Sequence, residues 1–359
     1  MIRPLTLLPI LALLTACPKQ GEPPNVDPVV IQAFEEEVTF EAEGLTLEGT
    51  LHVPTRSSGA ALPGVVLIHG SGPNGRDESA TQSFPGLSPI QVDTFVDLAE
   101  GLAAAGFVVL RYDKRTCGTF NGLCDNGYPP PPSDVLVSDF MADAGAALDY
   151  LGQRSEVDAG QLVAAGHSQG ASFVPILMAS RDDIAAGLML AGPYRPIYEL
   201  LLYQAQVQID MLLALGMTQE QAEAQVAAVL ELAAEIIDAA DGDYGGERLS
   251  AEEQAFWLDW LQIGEDAIAA ASSLQRPIRA VSGSWDIQVP PEELEAWADL
   301  LGANDPDPGH QTELHDCATH QLNCVRGESL LTLSADDVDS EVLPELIEGL
   351  IAFLNVVTN

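Results

Sequence analysis

Residues 36–43 (EEVTFEAE) and 45–53 (LTLEGTLHV) alternate apolar with polar side chains on either side of Gly44. A period of two turns one face of each run to a core and the other to water, which predicts an antiparallel hairpin. From Gly64 the pattern changes. The runs 64–70 (GVVLIHG), 107–113 (FVVLRYD), 161–168 (QLVAAGHS), 184–192 (IAAGLMLAG) and 277–286 (PIRAVSGSWD) are short and nearly all apolar. Strands covered on both faces read this way, and such strands belong to parallel sheets. Amphipathic stretches at Val92–Ala105, Val135–Gln153, Gly170–Ser180 and Glu292–Gly302 lie between them, and a closing helix is expected over Ser340–Val356. The alternation predicts an α/β architecture: a mostly parallel, doubly wound sheet with helices on both faces and right-handed crossovers.

One stretch breaks the alternation. Residues Tyr194–Ser273 carry no strand signal. Thr218-Gln-Glu-Gln221 and Ser250-Ala-Glu-Glu253 are capping boxes that open helices, and Ala222, Val226, Val229, Ala233 and Ile237 form an apolar stripe after the first. A helical cap inserted between two sheet strands is the expectation. The core then divides into residues 36–193 and 276–359 around a cap at 194–275. Residues 218–266 hold thirteen acids and one base, Arg248.

The N-terminus reads as targeting rather than fold. A basic start at Met1–Arg3 precedes an apolar run, Pro4–Leu14, too short to span a bilayer. It ends in Leu14-Thr15-Ala16-Cys17, which resembles the lipobox of bacterial lipoproteins. That resemblance implies removal of residues 1–16 and a lipid anchor on Cys17, with 17–35 as a tether and the bacterial cell envelope as the location. In such an oxidising compartment the four remaining cysteines suggest two disulfides. Of the three connectivities, Cys117–Cys124 with Cys317–Cys324 is preferred because each closes a short loop. The net charge of −40 repels phosphate backbones and makes nucleic acid an improbable partner.

Gly166-His167-Ser168-Gln169-Gly170 follows a buried strand and precedes a helix. In that setting the pentapeptide is a nucleophile elbow, which lifts the Ser168 hydroxyl to the carboxyl end of the sheet. An acyl-transfer serine also needs donors for an oxyanion. The backbone N–H groups of Ser71, in His69-Gly-Ser-Gly72, and of Gln169 are the candidates. The acid should follow a later strand, and Asp286 ends the run at 277–286. The base should come last, because this arrangement runs Ser, Asp, His along the chain. His310, His315 and His320 qualify by order. Gln311–His315 is the expected final strand, so His320 in the loop beyond it is preferred, with His315 the alternative. Cys317 and Cys324 bracket His320, so a bond between them would pin the base's loop.

The runs LIHGSGPNGRDES, VVLRYDKRTCG, GHSQG, LMLAGPYRPIYELLLYQ and ATHQL together resemble a bacterial α/β-hydrolase family described as serine aminopeptidase-like or dienelactone-hydrolase-like esterases. The likeness covers about residues 36–357 and is loosest in the helical insertion. It implies the α/β-hydrolase fold, a Ser168–Asp286–His320 triad and no cofactor or metal. The chain departs from the family at Arg115-Thr-Cys-Gly118, where relatives tend to carry an Arg-Gly-x-Gly run, and at the Cys-bracketed histidine loop. Arg111, Lys114 and Arg195 could hold a substrate carboxylate, with structural ion pairing as the competing use. Trp257, Trp260, Leu258 and Leu261 are expected to pack the insertion on the core or to wall an acyl site. The expected activity is hydrolysis of a small to medium carboxylic ester through an acyl-enzyme. An aminopeptidase or amidase with the same triad is second, and a non-catalytic binding lipoprotein on this scaffold is third.

Overall fold

A computed structural model describes residues 32–55, 59–84, 86–120, 124, 135–242, 249–302, 309–327, 329 and 332–358. The targeting segment, Cys17 and most of the tether lie outside the described residues. The expected hairpin forms as β1 (Ala33–Ala42) and β2 (Leu45–Pro54), with Val38, Phe40 and Ala42 turned inward. β3 (Leu62–Ile68) opens the parallel part. A small antiparallel pair, β4 (Ser79–Gln82) and β5 (Ile90–Asp93), leads into α1 (Thr94–Ala104). β6 (Val108–Tyr112), the short α2 (Cys117–Phe120), α3 (Val137–Gly152), β7 (Val157–His167), α4 (Gln169–Ser180) and β8 (Ile184–Leu190) follow.

Helices α5 (Ile197–Ala214), α6 (Gln219–Ala240) and α7 (Ala251–Ala271) then separate β8 from β9 (Ile278–Gly283). After α8 (Pro291–Leu301) come β10 (Gln311–His315), β11 (Asn323–Val325), β12 (Val338–Val342) and α9 (Pro344–Val357). The eight-stranded sheet has the order β1-β2-β6-β3-β7-β8-β9-β10. β1/β2 and β2/β6 are antiparallel, and every later pairing is parallel.

Alternate residues of the central strands feed two cores. Val65 and Leu67 of β3, with Val163 and Ala165 of β7, meet α1 and α9 on one face. Val66, Ile68, Leu162 and Ala164 meet α3, α4, α7 and α8 on the other. Burial on both faces removes the polar alternation that a one-sided strand shows, which is why these segments are apolar throughout. Thr218 and Ser250 cap α6 and α7 with reciprocal side-chain bonds, as their sequences require. α7 lies on α3 and α4, where Phe256 and Trp260 pack on the core and Trp257 stacks on Trp260 at 5.4 Å. The apolar stripe of α6 ends on Ile236 and Ala239, with Ile237 only half-buried.

Two expected helix boundaries move. Residues 92 and 93 belong to β5, and 338–342 pair as a strand with β11, so the last helix starts at Pro344. Proline fits a helix's first turn because its missing N–H has no partner there anyway. The polar β4 segment, SATQ, carries no hydrophobic pattern that could announce a strand.

Trp297 of α8 is 1% exposed, donates its indole N–H to the Gly192 carbonyl at 3.2 Å and meets Tyr194 edge-on at 5.1 Å. Trp297→Ala is therefore expected to lower stability by about 3–5 kcal/mol in urea unfolding.

Candidate active site

Ser168 sits between β7 and α4 with φ 51°. For a residue with a Cβ this left-handed backbone costs about 1–2 kcal/mol, so the surroundings must enforce it. They do so by close approach. A Cβ at Gly170 would collide with the carbonyls of Ile68 and His69, and one at Gly166 with the backbone of Gly170. The Ser168 N–H donates to the Leu190 carbonyl at 2.8 Å, which fastens the turn to β8.

Asp286 follows β9 and is 2% exposed. Its Oδ1 accepts the N–H groups of Gln288 and Val289, both at 2.8 Å, and its Oδ2 lies 2.7 Å from His320 Nδ1. The proton on His320 is thereby drawn to Nδ1, leaving Nε2 as the basic atom. His320 stands in the loop after β10. Bonds from Thr319 N–H to the Asn323 carbonyl (2.9 Å) and from Val325 N–H to the Cys317 carbonyl (2.7 Å) knit that loop, and the Cys317–Cys324 disulfide closes it. Ser168 and His320 line one cleft of about 60 Å³ with Gly70, Ser71 and Glu78. Among the described residues Ser168 Oγ has no hydrogen-bond partner. The structure thus brings Ser168, Asp286 and His320 to the carboxyl end of one sheet. His315 remains in β10 beside Glu313 at 3.8 Å, and His310 accepts the Ile278 N–H at 3.1 Å. Neither faces Asp286.

Gly70 is gripped from two sides, through the N–H of the peptide before it and the carbonyl of the peptide after it. Glu78 Oε1 accepts the Gly70 N–H at 2.9 Å, and Lys114 Nζ donates to the Gly70 carbonyl at 2.7 Å. A trans peptide is planar, so a carbonyl fixed toward Lys114 turns the Ser71 N–H the opposite way. That N–H meets no acceptor among the described residues, and Ser71 lines the cleft. Gln169 begins α4, where helix N–H groups lack intrahelical partners. Lys114 also donates to Gln169 Oε1 at 3.1 Å and sits 4.2 Å from the Phe140 ring centroid. Burial lowers its pKa to about 8, against the pull of Glu78 and Asp143.

Glu78 and His167 were not among the sequence candidates. Glu78 is 5% exposed and lies 3.0 Å from His167 Nδ1, while His167 Nε2 lies 2.8 Å from the His320 carbonyl. Both ring nitrogens therefore face acceptors, and the ring satisfies both only by carrying two protons. Burial alone pulls the His167 pKa down, but Glu78, the His320 carbonyl and Asp286 reverse this and leave it raised. Burial pushes Glu78 up, and His167, His69 and the Gly70 N–H outweigh it to leave Glu78 lowered. The two shifts agree on a buried ion pair. Its signal in the sequence was faint, since the partners are 89 positions apart.

The other cations are engaged elsewhere. Arg111 bonds His52 at 2.9 Å, Asp77 and Glu35 at the antiparallel edge of the sheet. Arg195 pairs with Glu293, which also accepts the N–H groups of Tyr194 and Arg195. Lys114 lies beneath the Gly70 peptide. All three are thus held in structural bonds, the competing use considered for them. Cys117 pairs with Cys124, so the one metal-like cluster among the described residues, Asp113 with these two cysteines, has its sulfurs joined to each other.

A mostly parallel, doubly wound sheet with its serine on a strained strand–helix turn defines an α/β hydrolase. The chain belongs to the alpha/beta hydrolase family, whose model matches residues 65–340. It is 33% identical over 196 residues to Esterase EstD of Thermotoga maritima, a match covering 54% of this chain and 40% of that relative's length. Among solved structures it resembles hypothetical protein PA2218 from Pseudomonas aeruginosa at 15% identity and TM-score 0.52, covering 90% of this chain and 94% of that one. It also resembles Est1E from Butyrivibrio proteoclasticus with ferulic acid bound, at 17% identity and TM-score 0.51, covering 89% and 98%. At such identities these two likenesses concern the fold alone.

The raised pKa of His167 gives stability that is whole below its ordinary 6.5 and fades as pH climbs through the raised value. The lowered pKa of Glu78 gives stability that is whole above 4.5 and is lost as pH falls through the lowered value. Glu78→Gln should therefore destabilise most between those two ordinary values, by about 3 kcal/mol. The gap from wild type in urea unfolding should narrow at alkaline pH; a gap independent of pH would exclude the ion pair.

Proposed function

We propose that this protein is a serine hydrolase that cleaves a carboxylic ester through an acyl-enzyme, with Ser168 as nucleophile, His320 as base and Asp286 as its orienting acid. The 2.7 Å bond between Asp286 and His320, on the cleft that holds the Ser168 elbow, carries the reading. His320 Nε2 takes the Ser168 proton as Oγ attacks the ester carbonyl carbon. The Ser71 and Gln169 N–H groups receive the oxyanion. The tetrahedral intermediate collapses as the Nε2 proton passes to the leaving alcohol oxygen. Water, deprotonated by the same nitrogen, then attacks the acyl-enzyme, and the acid departs as Oγ regains a proton.

An aminopeptidase would need an acid free to hold the substrate's ammonium. Among the described residues lining this cleft the acid is Glu78, whose charge is already matched by the His167 ring at its Oε1, which favours the ester. A purely binding role leaves the strain at Ser168 without a use. The relative named an esterase points the same way. The lipobox-like run ending in Cys17 supports export and a lipid anchor in a bacterial envelope.

A fluorophosphonate probe should label Ser168 in the wild type and leave Ser168→Ala unlabelled, with folding unchanged by circular dichroism. Asp286→Asn should lower kcat on p-nitrophenyl esters by about 10⁴-fold by favouring the wrong imidazole tautomer. Labelling at another residue, or turnover surviving Ser168→Ala, sinks the assignment. In a bacterial host fed an alkyne fatty acid, the chain should acquire the label and partition with membranes, and Cys17→Ala should abolish both.

A further inference from the structure

Beside the cleft at Ser168 lies a second cavity of about 180 Å³, walled by Phe84, Trp285 and Ile287 together with Gln82, Thr319 and His320. The two spaces adjoin at His320, Gln288 and Gln321, whereas Ser168, Gly70 and Ser71 line only the first. We propose that this second cavity receives the alcohol portion of the ester, and that this portion is an uncharged hydrocarbon of about phenyl size. The inference rests on the ester-hydrolase reading above.

The placement follows from the path of the proton. His320 Nδ1 is committed to Asp286, so Nε2 must protonate the departing oxygen. The substituent on that oxygen extends away from the oxyanion donors and along the His320 side. Of the two spaces, the one that shares His320 but excludes Ser168 and Ser71 lies there.

The chemical class follows from the walls. Among the described residues no Asp, Glu, Lys or Arg lines the cavity, and the chain's net charge of −40 disfavours an anionic alcohol group. Much of its polar wall is already bonded within the protein. Gln82 Nε2 donates to Thr319 Oγ1 (2.9 Å) and Asn323 Oδ1 (2.8 Å), and Gln82 Oε1 accepts from Asn323 Nδ2 (3.0 Å). Gln321 Oε1 accepts the Thr94 hydroxyl at 2.9 Å. The surface that the cavity presents is mostly apolar, so apolar contact decides recognition. Ile287, 41% exposed at the rim, is an apolar surface that such a group would cover. An apolar cavity of ~150 Å³ accommodates benzene, which sets the size.

Two isomeric esters test the assignment. Benzyl propanoate carries its ring on the alcohol and ethyl phenylacetate on the acid, at equal composition and with alcohols of similar acidity. The phenylacetyl carbonyl is the more activated, so intrinsic reactivity opposes the expectation. The wild type should prefer benzyl propanoate in kcat/KM by about ten- to a hundredfold. Ile287→Asn, at an exposed rim position, should draw the ratio toward one, and Trp285→Ala should do so further. Equal or reversed rates, from enzyme whose Ser168 reacts with the fluorophosphonate, overturn the subsite and leave the hydrolase reading standing. A ratio unmoved by both variants overturns it too. Failure to turn over either ester, with Ser168 reactive, removes the ester reading and the subsite with it.

Discussion

The Glu78 carboxylate holds the amide of Gly70 and the ring of His167, and His167 holds the carbonyl of His320. Three chain segments that meet at the Ser168 cleft are thereby tied through one buried ion pair: the loop after β3, the elbow after β7 and the loop after β10. Burying two charges costs several kcal/mol per ion unless their remaining bonds are made, so stability alone is a weak reason for such a pair. Its position suggests a different benefit. It fastens the backbone of His320 beside the elbow, with the His167 and His320 ring centroids 4.8 Å apart.

The oxyanion side is organised by the same economy of fixed dipoles. Lys114 is charged enough near neutrality to hold the Gly70 carbonyl and the Gln169 side chain together, though burial has already weakened its grip on its proton. A cation placed behind the peptide, rather than in the cleft, leaves the Ser71 N–H available for the oxyanion of the proposed reaction. Such preorganised donors need no rearrangement as charge develops. The strain at Ser168 belongs to this arrangement, since its positive φ between Gly166 and Gly170 goes with a serine that lines the cleft.

The base loop shows how far a local device can act. Its backbone bonds and the Cys317–Cys324 disulfide make a closed unit. β9 lies so near it that a Cβ at Gly283 would strike the Ala318 carbonyl. Asp286 and His320 thus stand just beyond two adjacent parallel strands, β9 and β10.

Much of this was legible in the residues alone. Fully apolar strand runs, the capping boxes at Thr218 and Ser250, and a serine between glycines after a strand all report forces that act within a few residues of each other. The expected order of serine, aspartate and histidine pointed to His320, which the structure places beyond β10 and bonded to Asp286. Tertiary structure alone decided what distant segments do to one another. It paired Glu78 with His167, set Lys114 behind a peptide rather than in the cleft, drew Arg111 and Arg195 into ion pairs, and made a strand of the polar SATQ segment. Electrostatic partners and polar edge strands are chosen by proximity in space, and a one-dimensional pattern carries hydrophobic period and turn chemistry but no such distance.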